Sequence, residues 1–221
     1  MSIHSTTRPR AVRTDGTHRT DRTDTTLVLL GGVPGAGKTQ TLRSLRAAHS
    51  GIRTNDPERW RSRIERFLPH VPYPVIRPIV HVLGHLDALR LVLGSVDVPV
   101  VLHDPGTRRW TRRAIVTLAH ARGRRPSAVY LDVPRDQALT GQRDRGRIVR
   151  SRAFDRHWTH WQTIRTRIRA GRPPGDGERW ASVHLVDREH ALGTVAALLR
   201  CHGDALDDRG APTPPQALTT R

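Results

Sequence analysis

The sequence predicts an α/β fold, a five-stranded parallel sheet sandwiched by helices. Three observations carry the prediction. Between two polar ends, apolar runs alternate with segments of helical spacing, the order that builds parallel strands joined by crossover helices. Several of those runs are continuous stretches of Val, Leu and Ala that read as buried strands. The first of them passes directly into a glycine-rich turn and then into a helical pattern.

Residues 1–24 are polar, biased toward Arg, Thr and Asp, and without periodicity, so they are expected to form a disordered arm. The run Thr26-Leu27-Val28-Leu29-Leu30 predicts the first strand over 26–31. Leu42, Leu45 and Ala48 then recur on one face of a helix over roughly 38–49. A short second strand is expected near 51–54, followed by Asn55-Asp56-Pro57. Residues 74–95 carry Ile79, Val82, Leu83, Leu86, Leu89 and Leu93 at helical spacing and predict a long helix. VDVPVVLH, residues 96–103, predicts a third strand ending at Asp104. Residues 111–121 predict a helix and 128–133 a fourth strand. An arginine-rich helix-and-loop region is expected over 135–170, broken near Gly146, followed by the loop GRPPGDG. A fifth strand over 181–186 and a helix from Glu189 to about Leu199 complete a domain placed at 25–202. Residues 203–221, with Gly210, Pro212, Pro214 and Pro215, are expected to be a disordered tail.

Composition narrows the function classes. The 221 residues fit one domain with a sizeable core, and no apolar run is long enough to cross a membrane. The N-terminus lacks the apolar stretch of a secretory signal, and Cys201 is alone, both compatible with a reducing cytoplasm. The formal charge of +18 points to an anionic partner such as nucleic acid. It is discounted because 37 of the 38 basic residues are arginine, a general bias that places many on solvated surface.

The one lysine, Lys38, lies in GVPGAGKT. Gly32-x-x-x-x-Gly37-Lys38-Thr39 is the Walker A pattern, met by chance about once in a thousand such sequences. Residues Gly32, Val33, Pro34, Gly35, Ala36, Gly37, Lys38, Thr39 and Gln40 are therefore the expected nucleotide-binding segment. Its backbone N–H groups make an anion nest at a helix N-terminus. Lys38 is expected on the β/γ-phosphates and Thr39 on Mg²⁺. A planar guanidinium would not replace the compact ammonium there, which is why lysine persists in an arginine-biased chain. Nothing resembles a guanine-reading motif, so ATP is the default nucleotide.

Asp104, at the end of the third strand, suits holding that Mg²⁺ directly or through water. It also suits a cap for the turn Asp104-Pro105-Gly106-Thr107, and the two roles are compatible. Asp56 follows the second strand and so falls at the sheet edge where open α/β sheets bind ligands. It is a candidate base for an acceptor hydroxyl, with helix capping ahead of Pro57 as the alternative. Arginines of the segment 143–150 are candidates for neutralising a transferring phosphoryl group. His81 and His85 lie four apart on one helix face, read as helix surface or acceptor pocket. His157, Trp158, His160 and Trp161 read as packing ahead of base stacking.

With these motifs in this order, residues 26–200 resemble the P-loop kinase group that includes polynucleotide 5′-kinases and zeta toxins. Within it they look closest to actinobacterial ATP-binding proteins labelled AAA-family ATPases. The resemblance implies a P-loop NTPase fold with an arginine-rich lid, Asp56 as base, Arg59 on the acceptor, and Arg143 and Arg147 as catalytic lid arginines, with Arg145 between them. The chain departs from such kinases at Asp104-Pro105-Gly106-Thr107, where they often carry Asp-x-Thr-Asn. It departs again at Arg150, where they often carry proline, and at Gly141, where they often carry arginine. No Asp-Glu pair follows the third strand, which argues against an AAA+ motor. The resulting expectation is an ATP- and Mg²⁺-dependent phosphotransferase acting on a hydroxyl of a small molecule or nucleic-acid end. The alternatives are a nucleotide-dependent binding module for nucleic acid or protein, and a simple ATPase.

Overall fold

The computed structural model describes residues 11–13, 25–55, 57–104, 106–144 and 151–207. Its elements are β1 (Ala11–Arg13), β2 (Thr25–Gly31), α1 (Lys38–Ala48), β3 (Arg53–Thr54), α2 (Pro57–Phe67), α3 (Tyr73–Leu93), β4 (Val100–His103), α4 (Arg109–Ala121), β5 (Arg124–Leu131), α5 (Arg135–Arg143), α6 (Ser151–Arg169), β6 (Ser182–Val186) and α7 (His190–Asp207).

The strands form one sheet in the order β1-β6-β5-β2-β4-β3. The five strands from β2 onward are mutually parallel, as expected. Leu29 of the central strand β2 pairs with Leu102 on one side and Ala128 on the other. All seven residues of β2 are buried, which explains a run with no polar alternation. The chain moves to one side of β2 for β3 and β4, then crosses to the other for β5 and β6. The end of β2 is therefore the switch point of the sheet, where open α/β folds leave a crevice for ligand.

Helices flank the sheet. α7 packs on β2 and β5 and against α1, α3 on β4, α4 on β5, and α6 on β6. In α1 the buried residues Lys38, Thr41, Leu42 and Leu45 follow helical spacing and make its inner face. In α6, Trp161 is fully buried and its ring lies 5.5 Å from that of Tyr130, while Trp158 stacks on Phe154. Trp158 and Trp161 are thus packing, the first of the two readings, whereas His160 is exposed.

Three expectations need correction. The arm expected over 1–24 contains strand β1, which pairs antiparallel with β6, Val12 opposite Val183. An uncovered β6 would be a sheet edge with unpaired backbone groups, and the three-residue β1 pairs with it. Its remaining residues lie outside the described residues. At the other end α7 continues to Asp207, past the expected stop. Ala205 and Leu206 sustain a helix, and one Gly203 costs it only about 1 kcal/mol. Residues 208–221 lie outside the described residues. Finally, β4 begins at Val100 instead of residue 96. Pro99 has no N–H for the ladder. The carbonyls of Val92, Ser95 and Val98 are drawn instead to the guanidinium of Arg124, which is 2% exposed.

Candidate functional site

The site is built on the loop between β2 and α1. Gly32, Gly35 and Gly37 take positive φ angles of 129°, 87° and 109°, a backbone path that side-chain-bearing residues rarely follow. Space forbids side chains there as well, since a Cβ on Gly35 would stand 2.0 Å from the carbonyl oxygen of Ala138 in α5. Gly37 ends the loop, and no side chain caps α1. The first turn of α1 thus presents its N-terminal dipole to whatever the loop encloses.

Lys38 is buried and reaches back over the loop. Its Nζ donates to the carbonyls of Gly32 at 2.7 Å and Val33 at 3.0 Å. Gln142 Nε2 in α5 donates to Pro34 O at 3.2 Å. Arg188, just after β6, donates from Nη2 to Gly35 O at 3.2 Å and from Nε to Ala36 O at 3.3 Å. Five successive loop carbonyls, from Gly32 to Ala36, are therefore held by side chains. The peptides are trans, so the N–H groups of Val33, Gly35 and Gly37 point away from those partners, while Pro34 has none and the Ala36 N–H donates to Val33 O at 3.2 Å. That arrangement turns a flexible glycine loop into a fixed set of donors.

Asp104 stands at the end of β4, and its Oδ1 accepts from the N–H of Gly106 at 2.7 Å. The turn-capping role is thus realised. The turn is braced from behind. Arg112 of α4 donates to Gly106 O at 2.9 Å and pairs at 2.9 Å with Glu178, both side chains being almost wholly buried. Glu178 also accepts from Trp180 Nε1 at 3.0 Å. Burial raises the Tyr130 hydroxyl far above its ordinary pKa, and it donates to Gly106 O at 3.4 Å. Next to this turn Asn55 ties β3 to β4. Its Oδ1 accepts from His103 N at 2.5 Å and its Nδ2 donates to His103 O at 3.4 Å.

A cavity of about 460 Å³ opens from this edge, and Lys38, Thr39, Asn55, Asp104, His81 and His85 all line it. The structure therefore gathers the phosphate loop, Asp104 and the α3 histidines around one space. His85 Nδ1 lies 2.6 Å from His81 O, and its ring stacks on Trp110 with centroids 5.6 Å apart. Gln40 is exposed on α1, and Arg143 is exposed in the last turn of α5. Asp56, the side chain of Arg59, and Arg145, Arg147 and Arg150 lie outside the described residues.

Two contributors were invisible in the sequence. Arg188 is one arginine among 37, with nothing local to mark it. Gln142 follows Gly141, and only the packing of α5 on the loop explains the pair. A Cβ on Gly141 would stand 2.6 Å from Gly35 O, so the arginine that similar kinases often carry there would collide with the loop.

Known proteins agree with this geometry at the level of fold. A chain from the PezAT chromosomal toxin-antitoxin system of Streptococcus pneumoniae superposes with a TM-score of 0.53 at 13% identity, covering 84% of this chain and 86% of that one. A kinase candidate from Chloroflexus aurantiacus gives 0.54 at 14% identity, covering 80% and 98%. No curated protein matches the chain in sequence. The model of the AAA domain family matches residues 27–170, a span running from β2 through the phosphate loop and α5 to the end of α6. The chain belongs to that family, the AAA domain, and is a P-loop protein of nucleotide-binding type.

Proposed function

We propose that the chain is an ATP-dependent phosphotransferase that moves the γ-phosphate to a hydroxyl of a small molecule. The observation that carries this reading is the cavity shared by Lys38, Thr39 and Asp104. A loop of phosphate-binding type lines the same cavity as Asp104. A volume near 460 Å³ is that of a pocket for one small molecule. It is too small for a nucleic-acid duplex. The fold likeness to a kinase candidate is consistent with the reading.

In the transfer, the acceptor oxygen forms a bond to the γ-phosphorus as the bond to the β–γ bridging oxygen breaks, releasing ADP. The acceptor proton passes to a base, for which Asp56 is the candidate. Lys38 holds the β/γ-phosphates, and Arg143, Arg147 and Arg59 are the candidates for neutralising charge and holding the acceptor. Mg²⁺, when bound, supplies positive charge to the phosphate oxygens. The side chains fit such an ion. Thr39 and Asp104 both line the cavity, and among the described residues no group of three His, Cys, Asp or Glu makes a protein-only metal site. That donor set suits a metal held mainly by phosphates and water.

The test is incubation with γ-labelled ATP and separate pools of hydroxyl metabolites and oligonucleotides. Label in a new metabolite supports the reading. Label released only as inorganic phosphate, at a rate that no pool changes, would replace it with a simple ATPase.

A further inference from the structure

Beyond the phosphate loop the cavity has apolar walls. Val80, Ala88 and Val92 of α3 and Ala114, Ile115 and Leu118 of α4 line it. At one side the stacked rings of His85 and Trp110 add a flat aromatic surface, with the Trp110 indole 60% exposed. In a chain of 37 arginines, Arg61 is the one arginine among the described lining residues. Its Nε lies 2.6 Å from Glu65 Oε1, so its charge is already matched by a carboxylate. The Asn55 amide is engaged with the backbone of His103. A polyol placed against these walls would leave several hydroxyls without partners, each costing about 1–3 kcal/mol. Among the described lining residues, an anionic acceptor would meet only Lys38 and the Glu65-paired Arg61 as permanent cations.

We propose that this cavity binds an uncharged alcohol with an apolar, ring-bearing body. The hydroxyl lies toward Thr39 and Asp104, and the ring lies along the α3–α4 walls against Trp110. The fate of the hydroxyl rests on the phosphotransferase reading, whereas the binding does not. Sugars, polyols, nucleotides and carboxylates are then poorer occupants, because the described α3 and α4 walls are mainly apolar and replace little of their hydration.

The test measures binding and transfer separately on the full chain. The probes are 2-(2-naphthyl)ethanol, 2-naphthylacetate with the same ring and a carboxylate, and sorbitol, each titrated with and without MgATP by ligand-observed NMR. The naphthyl alcohol is expected to bind at least about tenfold more tightly than the other two. Ala114→Trp fills the wall and is expected to weaken the alcohol by about tenfold. Ala88→Phe does so from α3, and MgATP affinity reports that each variant is folded. Absent binding of the naphthyl alcohol, equal or tighter binding of the acetate or sorbitol, or unchanged alcohol affinity in both folded variants would overturn the proposal. Bound naphthyl alcohol with no transfer of label to any hydroxyl would sink the phosphotransferase reading and leave the pocket assignment standing. Label on a sugar or nucleotide, with no naphthyl binding, would do the reverse.

Discussion

Arg188 Nη2 donates to the Gly35 carbonyl at 3.2 Å across a separation of 153 residues, joining the last strand of the sheet to the loop that follows its central strand. With the bond to Ala36 O, it completes the set of side chains holding the loop carbonyls. Arg188→Ala is expected to weaken MgATP binding about fivefold, the loss of roughly 1 kcal/mol for partly exposed charge-assisted bonds. Isothermal titration checks it. Unaltered affinity would mean that the loop holds its shape without this clamp.

Lys38 both ties the loop and supplies its central positive charge. Lys38→Ala should raise the MgATP dissociation constant by a hundredfold or more, about 3 kcal/mol. The same variant frees the Gly32 and Val33 carbonyls. Full-strength ATP binding by a folded Lys38→Ala protein would remove the basis for the nucleotide site.

Gly141 tests the packing of α5 on the loop. By helix propensity alone, Gly141→Ala should stabilise by up to about 1 kcal/mol. The new Cβ would stand 2.6 Å from Gly35 O, inside contact distance. The expected outcome is a net loss of about 1–3 kcal/mol in urea unfolding, together with weaker ATP binding. A stabilised variant with normal affinity would show that α5 and the loop separate freely.

Arg112 and Glu178 form a buried ion pair behind the Asp104 turn. Arg112→Met leaves the carboxylate unpaired and should cost about 3–5 kcal/mol. Adding Glu178→Leu should recover much of that loss in a double-mutant cycle. Strict additivity of the two losses would contradict the pairing.

Asp56→Asn separates chemistry from binding. If Asp56 is the base, transfer should fall by about a hundredfold to ten-thousandfold with ATP affinity preserved. Normal turnover would return Asp56 to a helix cap ahead of Pro57, the alternative that its sequence context also supports.

The sequence by itself determined the parallel sheet and the phosphate loop. Both are written in contiguous residues. β2 is one unbroken apolar run, and the glycines at 32, 35 and 37 meet a backbone requirement that few other residues satisfy. Lysine stood out at position 38 because the arginine bias is suspended there. Where signals were not contiguous the sequence was silent. β1 exists because β6 needs an edge partner, and Arg124 truncates β4 from 26 residues beyond Val98. Gln142 and Arg188 became loop clamps only when α5 and the end of β6 were brought to the β2 edge. Helical periodicity in 74–95 marked the helix but pointed to the wrong face: of Ile79, Val82, Leu83, Leu86, Leu89 and Leu93 only Leu89 lines the cavity, whose walls are Val80, Ala88 and Val92 of α3 with Ala114, Ile115 and Leu118 of α4. Tertiary packing decided that these walls line a space beside Lys38, because only the strand order sets which helices flank the end of β2.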